Sequence, residues 1–265
     1  MNGQTSFITI QSMYTQSPPL YRVPGLFFGQ EHLNAAESTR HGGVSPAPYA
    51  SLNLGLNTAD DEANVVENRN RFFAAVGVDP SRVASSHQVH GNRVLTVVEP
   101  GRYDGYDALM TGQPNLFVTV TVADCVPVLI CDPVRRAVAA IHAGWRGTAA
   151  QIVRETLTAM HSAFGTRPAD CLAYVGTSID ADAYEVGQEV ASAFSESCCR
   201  YDRGRDRYFL DLKEANRAQL LAGGVPAEQV ELSPYSTVRH ADDYFSYRRE
   251  SGQTGRMLAL IGWRC

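Results

Sequence analysis

Residues 116–122 alternate: Leu116, Val118, Val120 and Val122 fall on one set of positions, Phe117, Thr119 and Thr121 on the other. A period of two predicts a strand. The apolar stretch runs on to Cys131 and halts at Asp132-Pro133-Val134-Arg135, a turn signal with proline in second place. "AVAAIHA" returns as another strand, so a hairpin is expected near the middle of the chain. Helical spacing takes over elsewhere. Residues 61–77 carry apolar positions at Val65, Phe72, Phe73 and Val76, with Gly77 as a stop. Thr148 reads as the N-cap of a second helix, with Gln151 completing a capping box. Its apolar stripe is Val153, Leu157, Met160 and Phe164, and Gly165 ends it. A further strand and helix follow in "LAYVG" and "DAYEVGQEVASAFSES", and "RMLALIGW" reads as a buried strand. Strands and helices interleave around a hairpin, which predicts an α/β fold with a mixed β-sheet covered by helices.

Residues 1–19 have weak patterning and end at a Pro-Pro stop, so a loosely held tail is expected, with one short strand at "FITIQ". No internal repeat or linker divides the remainder, and 20–265 reads as one domain. Within it, 38–57 is a long loop rich in Gly, Ser, Pro and Asn, of the kind that often carries function.

Hydrophobic residues make up 44% of the 265, enough for a sizeable core. A net charge of -5 argues against a nucleic-acid partner, which usually meets a basic excess. The six cysteines include no Cys-x-x-Cys pair. Neither a secretory signal nor an apolar run approaching the roughly 20 residues of a membrane span is visible. A cytoplasmic protein with reduced thiols and no membrane contact is the expectation.

The candidate chemistry lies at the hairpin. A two-residue loop at Pro133-Val134 would set Asp132 against Arg135 and Cys125 against His142, with Cβ atoms roughly 4.5–5.5 Å apart. A thiolate and an imidazole so placed can share one metal ion or form a nucleophile–base pair. The inference depends on register, since a one-residue slip sends them to opposite faces. His87 and His90 in "SSHQVHGNRV" are both candidates for a third ligand. Three ligands with an open fourth position are the pattern of catalytic zinc. After His142, Gly144 and Gly147 permit a sharp turn, and Arg146 would stand just before a helix N-terminus, where an anion is favoured.

"HQVHG", "ADCVPVLICDP", "IHAGWRG" and "YFSYRRESGQTGR" resemble the signature blocks of the laccase-domain family, also called the multicopper polyphenol oxidoreductase family. That family includes bacterial purine nucleoside phosphorylases and peptidoglycan editing factor. "TRHGGVS", "YASLNLG", "ENRNRF" and "YEVG" fit as well, and the resemblance covers about residues 26 to 262. It implies an α/β/α sandwich around a mixed β-sheet. It also implies a metal site of His90, Cys125 and His142, selecting His90 over His87. The implied activity is zinc-dependent phosphorolysis of adenosine, inosine and methylthioadenosine, with adenosine deamination beside it.

In that reading the partners are a nucleoside and phosphate, handled by a monomer or small homo-oligomer. Arg40, Asn53, Arg146 and Arg248 are candidates for anion or ribose contacts, and Asp124 for an acid–base or supporting role. Alternatives are a cell-wall precursor amide hydrolase with Cys125 as nucleophile and His142 as base, a copper-dependent polyphenol oxidase, and a non-catalytic metal-binding protein. Three ligands of this kind do not resemble a multicopper centre. The chain departs from the family pattern at Gly176-Thr177-Ser178-Ile179, where Gly-Pro-x-Ile is usual, and at Ser236-Thr237, where Cys-Thr is common.

Overall fold

A computed structural model describes residues 18–265; the strand expected at "FITIQ" lies outside them. In chain order the strands are β1 Tyr21–Arg22, β2 Leu33–Ser38, β3 Val83–His87, β4 Val94–Thr96, β5 Gly101–Asp104, β6 Ala108–Thr111, β7 Phe117–Val122, β8 Val126–Asp132, β9 Ala137–Ala143, β10 Leu172–Val175, β11 Glu185–Val186, β12 Cys199–Asp202, β13 Arg207–Leu210, β14 Val230–Leu232 and β15 Met257–Trp263. The helices are α1 Glu62–Ala75, α2 Trp145–Ala149, α3 Ile152–Phe164, α4 Gln188–Ala191 and α5 Leu212–Ala222.

The fold is α/β with mixed strand pairing, as the interleaved pattern predicts. Its centre holds two six-stranded sheets, ordered β1-β2-β15-β7-β3-β5 and β14-β10-β8-β9-β6-β4, with a small third sheet β11-β13-β12. Val118, Val120, Ala259 and Ile261 of the first sheet meet Leu129, Cys131, Val138 and Ala140 of the second. On the first sheet's outer face, Phe72 and Phe73 of α1 pack on Ala36, Leu258 and Leu260. On the second's, α3 and α5 cover Val128, Ile130, Ala139 and Ile141 with Val153, Leu157, Met160 and Leu220. Every residue of β8, β9 and β15 is therefore buried, which explains their unbroken apolar runs. The single run 116–132 supplies one strand to each sheet: Asp124, at φ 86°, turns the chain between β7 and β8.

The hairpin forms with a different loop from the expected one. Asp132 pairs with Ala137 and Pro127 with His142, so residues 133–136 make the turn. The Asp132 carboxylate accepts the Val134 and Arg135 amides, and Arg136 takes φ 51°. That side chain holds a wider loop than a two-residue turn. Pro127, not Cys125, thus stands opposite His142.

The helix expected from Thr148 is also rearranged. It starts at Trp145, behind Gly144 as N-cap, and runs for five residues. Gln151, at φ 63°, then separates it from α3. Thr148 is no cap: its hydroxyl accepts a 3.1 Å bond from Asn216 Nδ2. Arg146 therefore lies inside α2 rather than ahead of a long helix. The helix expected in "DAYEVGQEVASAFSES" is mostly replaced by β11 and the single turn α4. No helix among the described residues is long and apolar enough to cross a membrane.

Candidate active site and metal centre

Three chain segments converge where the two sheets part. Cys125 follows the Asp124 turn, His142 is the penultimate residue of β9, and His90 comes from the loop after β3. Their ligand atoms lie within 4.8 Å of one another, and among the described residues this is the only group of three His, Cys, Asp or Glu able to hold a metal ion. The His90 and His142 rings meet edge to face at 4.8 Å between centroids. Gly144 completes the cradle: a Cβ there would approach Cys125 Sγ and His90 Cδ2 to 3.1 Å each.

Asp107 organises this centre, and the motif reading passed it over. Fully buried just ahead of β6, it accepts a 2.8 Å bond from His142 Nδ1. That bond leaves Nε2 for the site. The same carboxylate accepts the amides of Val89, His90 and Gly91 at 3.2, 2.9 and 2.8 Å. His90 sits there at φ 60°, a left-handed conformation costly for a residue with a Cβ and held by those bonds. Pairing of β6 with β9 sets Ala108 opposite Ile141, which brings Asp107 beside His142 across 35 residues of chain.

The electrostatics favour a charged cluster. Burial opposes a thiolate at Cys125, but the adjacent His142 and His90 outweigh it and draw the thiol down to about 6. Burial likewise opposes charge on His142, and Cys125 and Asp107 overcome it, lifting the imidazole to about 9. For Asp107 burial works against ionisation, while the bond and charge of His142 and the loop amides hold it below the usual carboxylate value. A thiolate is the form needed either for metal ligation or for nucleophilic attack. One thiolate and two imidazoles, with a pocket in front of them, suit a single tetrahedral ion with an open position.

Above the trio opens a cavity of about 540 Å3, the size of a small-molecule site. Trp145, Tyr184 and Tyr247 supply aromatic walls, and Arg146, Arg248 and Arg256 supply cations. Arg146 is exposed and stacks on Trp145, 4.4 Å from the ring centroid. Arg248 is exposed, donates to the Glu185 carbonyl at 3.0 Å and lies over Tyr184. Burial pushes the Tyr184 phenol up to about 12, so it remains a neutral donor.

Asp124 also lines the cavity, but both of its oxygens are engaged: one accepts Thr237 Oγ1 at 2.5 Å, the other the Arg248 amide at 2.6 Å. Arg40 and Asn53 are not among the lining residues. Arg40 bonds the carbonyls of Ala50 and Ala241 and pairs with Glu250 at 3.1 Å. Asn53 is fully buried, and its Oδ1 accepts the amides of Gly55 and Arg256, both of which belong to the cavity wall. His87 lines the outer rim and bonds Asp104 rather than joining the trio. The two departures from the family pattern also lie off the cavity: Thr177 bonds Glu37, and Ser236 makes a short bond to Asp180.

Residues 34–264 match the family model described as multi-copper polyphenol oxidoreductase laccase. A relative from Deinococcus radiodurans named "Purine nucleoside phosphorylase" is 41% identical over 92% of this chain and 92% of its own length. Another of that name from Bacteroides thetaiotaomicron is 39% identical over 84% of this chain and 89% of its own. Among solved structures, YlmD from Geobacillus stearothermophilus superposes with a TM-score of 0.86 at 32% identity, covering 94% of this chain and 100% of that one. YfiH from Bacillus licheniformis gives 0.84 at 33%, covering 88% and 93%. With a match running almost from end to end of the described fold, the chain belongs to the multi-copper polyphenol oxidoreductase laccase family.

Proposed function

We propose that the protein is a zinc-dependent purine nucleoside phosphorylase acting on adenosine, inosine and methylthioadenosine, with adenosine deamination as a side reaction. The observation that carries this reading is one cavity floored by His90, Cys125 and His142 and walled by aromatic rings and arginines. A neutral, flat purine suits the aromatic walls, and an anionic co-substrate suits the arginines. Relatives sharing about two fifths of the sequence bear the corresponding name.

In the reaction the phosphate oxygen forms a bond to the anomeric carbon of the ribose. The bond from that carbon to the purine breaks, and the base leaves with the electron pair and takes up a proton. Zinc, when bound, supplies a Lewis acid at the cavity floor. Asp107 fixes the tautomer and direction of His142. Asp124 ties the Thr237 and Arg248 segments to the strand junction and so shapes the wall. Arg146 and Arg248 stand at the rim to contact ribose or the incoming anion. Arg40 and Asn53 act from outside, by holding the loops that form the wall. The test is incubation with inosine with and without phosphate, products resolved by chromatography. Hypoxanthine and ribose 1-phosphate, formed only with phosphate, are expected; phosphate-independent release of free ribose defeats the reading.

One observation favours a second reading. Asp107 bonds His142, and Cys125 lies beside that imidazole, the order of groups in a cysteine amide hydrolase. Turnover of a muropeptide precursor that survives removal of metal would select it.

A further inference from the structure

Of the three cavity arginines, Arg256 is held in a way the other two are not. It is partly buried just ahead of β15. Its Nη1 donates to the carbonyls of Thr254 and Gly255 at 2.8 and 2.9 Å. Its amide donates to Asn53 Oδ1 at 2.9 Å. Its aliphatic stem lies over Gly55, where a Cβ would come within 2.6 Å of Arg256 Cγ. Tyr247 flanks the guanidinium at 5.5 Å from the ring centroid.

These contacts fix the side chain by one nitrogen and leave the opposite edge, Nε and Nη2, without a protein acceptor among the described residues. No carboxylate among them lies within 4.0 Å of its nitrogens. Burial works against its charge, and the fields of Tyr247, Cys125 and Asp124 only partly offset that. A half-buried guanidinium with an unmatched charge and a free planar edge is arranged to receive an oxyanion side-on. A neutral nucleoside does not supply that charge. Arg146 and Arg248 are exposed, and α2 is too short to add a helix-end site.

We infer that Arg256 is the subsite for inorganic phosphate, its Nε–Nη2 edge clamping the anion while Asn53 and Gly55 position it from behind. This deepens the phosphorylase reading and rests on it. Asn53 enters as a positioning residue, holding both Gly55 and Arg256 through one oxygen.

The experiment varies phosphate and inosine independently on the full chain and on Arg256→Ala, Arg256→Lys and Gly55→Ala. Arg256→Ala is expected to raise the KM for phosphate about ten- to 150-fold, with the inosine KM moving less than about threefold. Arg256→Lys should restore part of the loss, since it keeps the charge and forfeits the fork. Gly55→Ala, which keeps the arginine but displaces its stem, should raise the phosphate KM by a smaller factor. Phosphate should raise the Tm of the parent protein and not that of Arg256→Ala, a readout that needs no turnover. An unchanged phosphate KM, an equal rise in both KM values, or undiminished phosphate stabilisation of Arg256→Ala overturns the assignment. If the parent protein itself turns over inosine without phosphate, the phosphorylase reading falls instead.

Discussion

Asp107 carries two tasks on one carboxylate: it sets the tautomer of His142, and it accepts three amides that keep His90 in its left-handed conformation. Two of the three candidate ligands thus depend on it. Asp107→Ala is expected to weaken zinc binding about 10- to 100-fold, read by competition against a chelator of known affinity. Equal affinity in the variant would mean that the ligands are held by their own strands. Cys125→Ala poses the complementary case. It removes a candidate ligand from the floor of the cavity, where Cys125 packs against the small cluster of Val122, Tyr244, Phe245 and Met257 and not within the large apolar cores, so nucleoside turnover should disappear while thermal unfolding remains cooperative. Loss of that cooperativity would make the metal a structural one. Cys125 and His142 were legible in the sequence because each ends or begins an apolar run. Asp107 was not, because "YDALM" offers only an acid before a short strand. Its partner is identified solely by the pairing of β6 with β9.

At the scale of elements, the hairpin shows which errors a strand reading tolerates. The expected register set Cys125 opposite His142, whereas the observed one sets Pro127 there. Cys125 is two residues from Pro127, and side chains alternate with a period of two, so Cys125 kept its face and the site survived the shift. Helix starts are less forgiving. Thr148 and Gln151 have the chemistry of a cap, but Asn216 of α5 claims the Thr148 hydroxyl and Gln151 breaks the helix. Those are tertiary facts that local spacing does not contain. α2 is packed against the ligand loop closely enough to be tested. A Cβ on Gly147 would meet the Gly91 carbonyl at 2.6 Å, backbone that has no rotamer by which to escape. Gly147→Ala should therefore cost about 1–3 kcal/mol in urea unfolding. It should also loosen zinc binding, because Gly91 adjoins His90. An unaltered unfolding midpoint would show that the loop yields freely.

Across the whole molecule, composition and interleaving were enough to indicate an α/β fold with mixed pairing. That the middle layer is two sheets was hidden, because one apolar run feeds both and the separating turn is only Ala123-Asp124-Cys125. A polar tie joins the sheets near that split. Glu37 of β2, 2% exposed, accepts bonds from Tyr174 of β10 at 2.7 Å and from the Thr177 amide and hydroxyl at 2.8 and 3.0 Å. Burial holds its carboxyl above the ordinary value of 4.5, against the pull of those bonds and of the Lys213 charge. The unfolded chain releases this proton near 4.5 while the folded chain retains it to higher pH. The folded state therefore binds more protons in that window, and the stability contributed by Glu37 is full below 4.5 and falls as pH rises through the folded value. Glu37→Gln removes the titration and leaves an amide that can still bond Tyr174 and Thr177. The difference in Tm between the variant and the parent should shift in the variant's favour as the pH is raised above 4.5 and through the folded-state value. Parallel Tm curves across that range would show that Glu37 titrates alike in the folded and unfolded chains, and that the tie between the sheets carries no proton of its own.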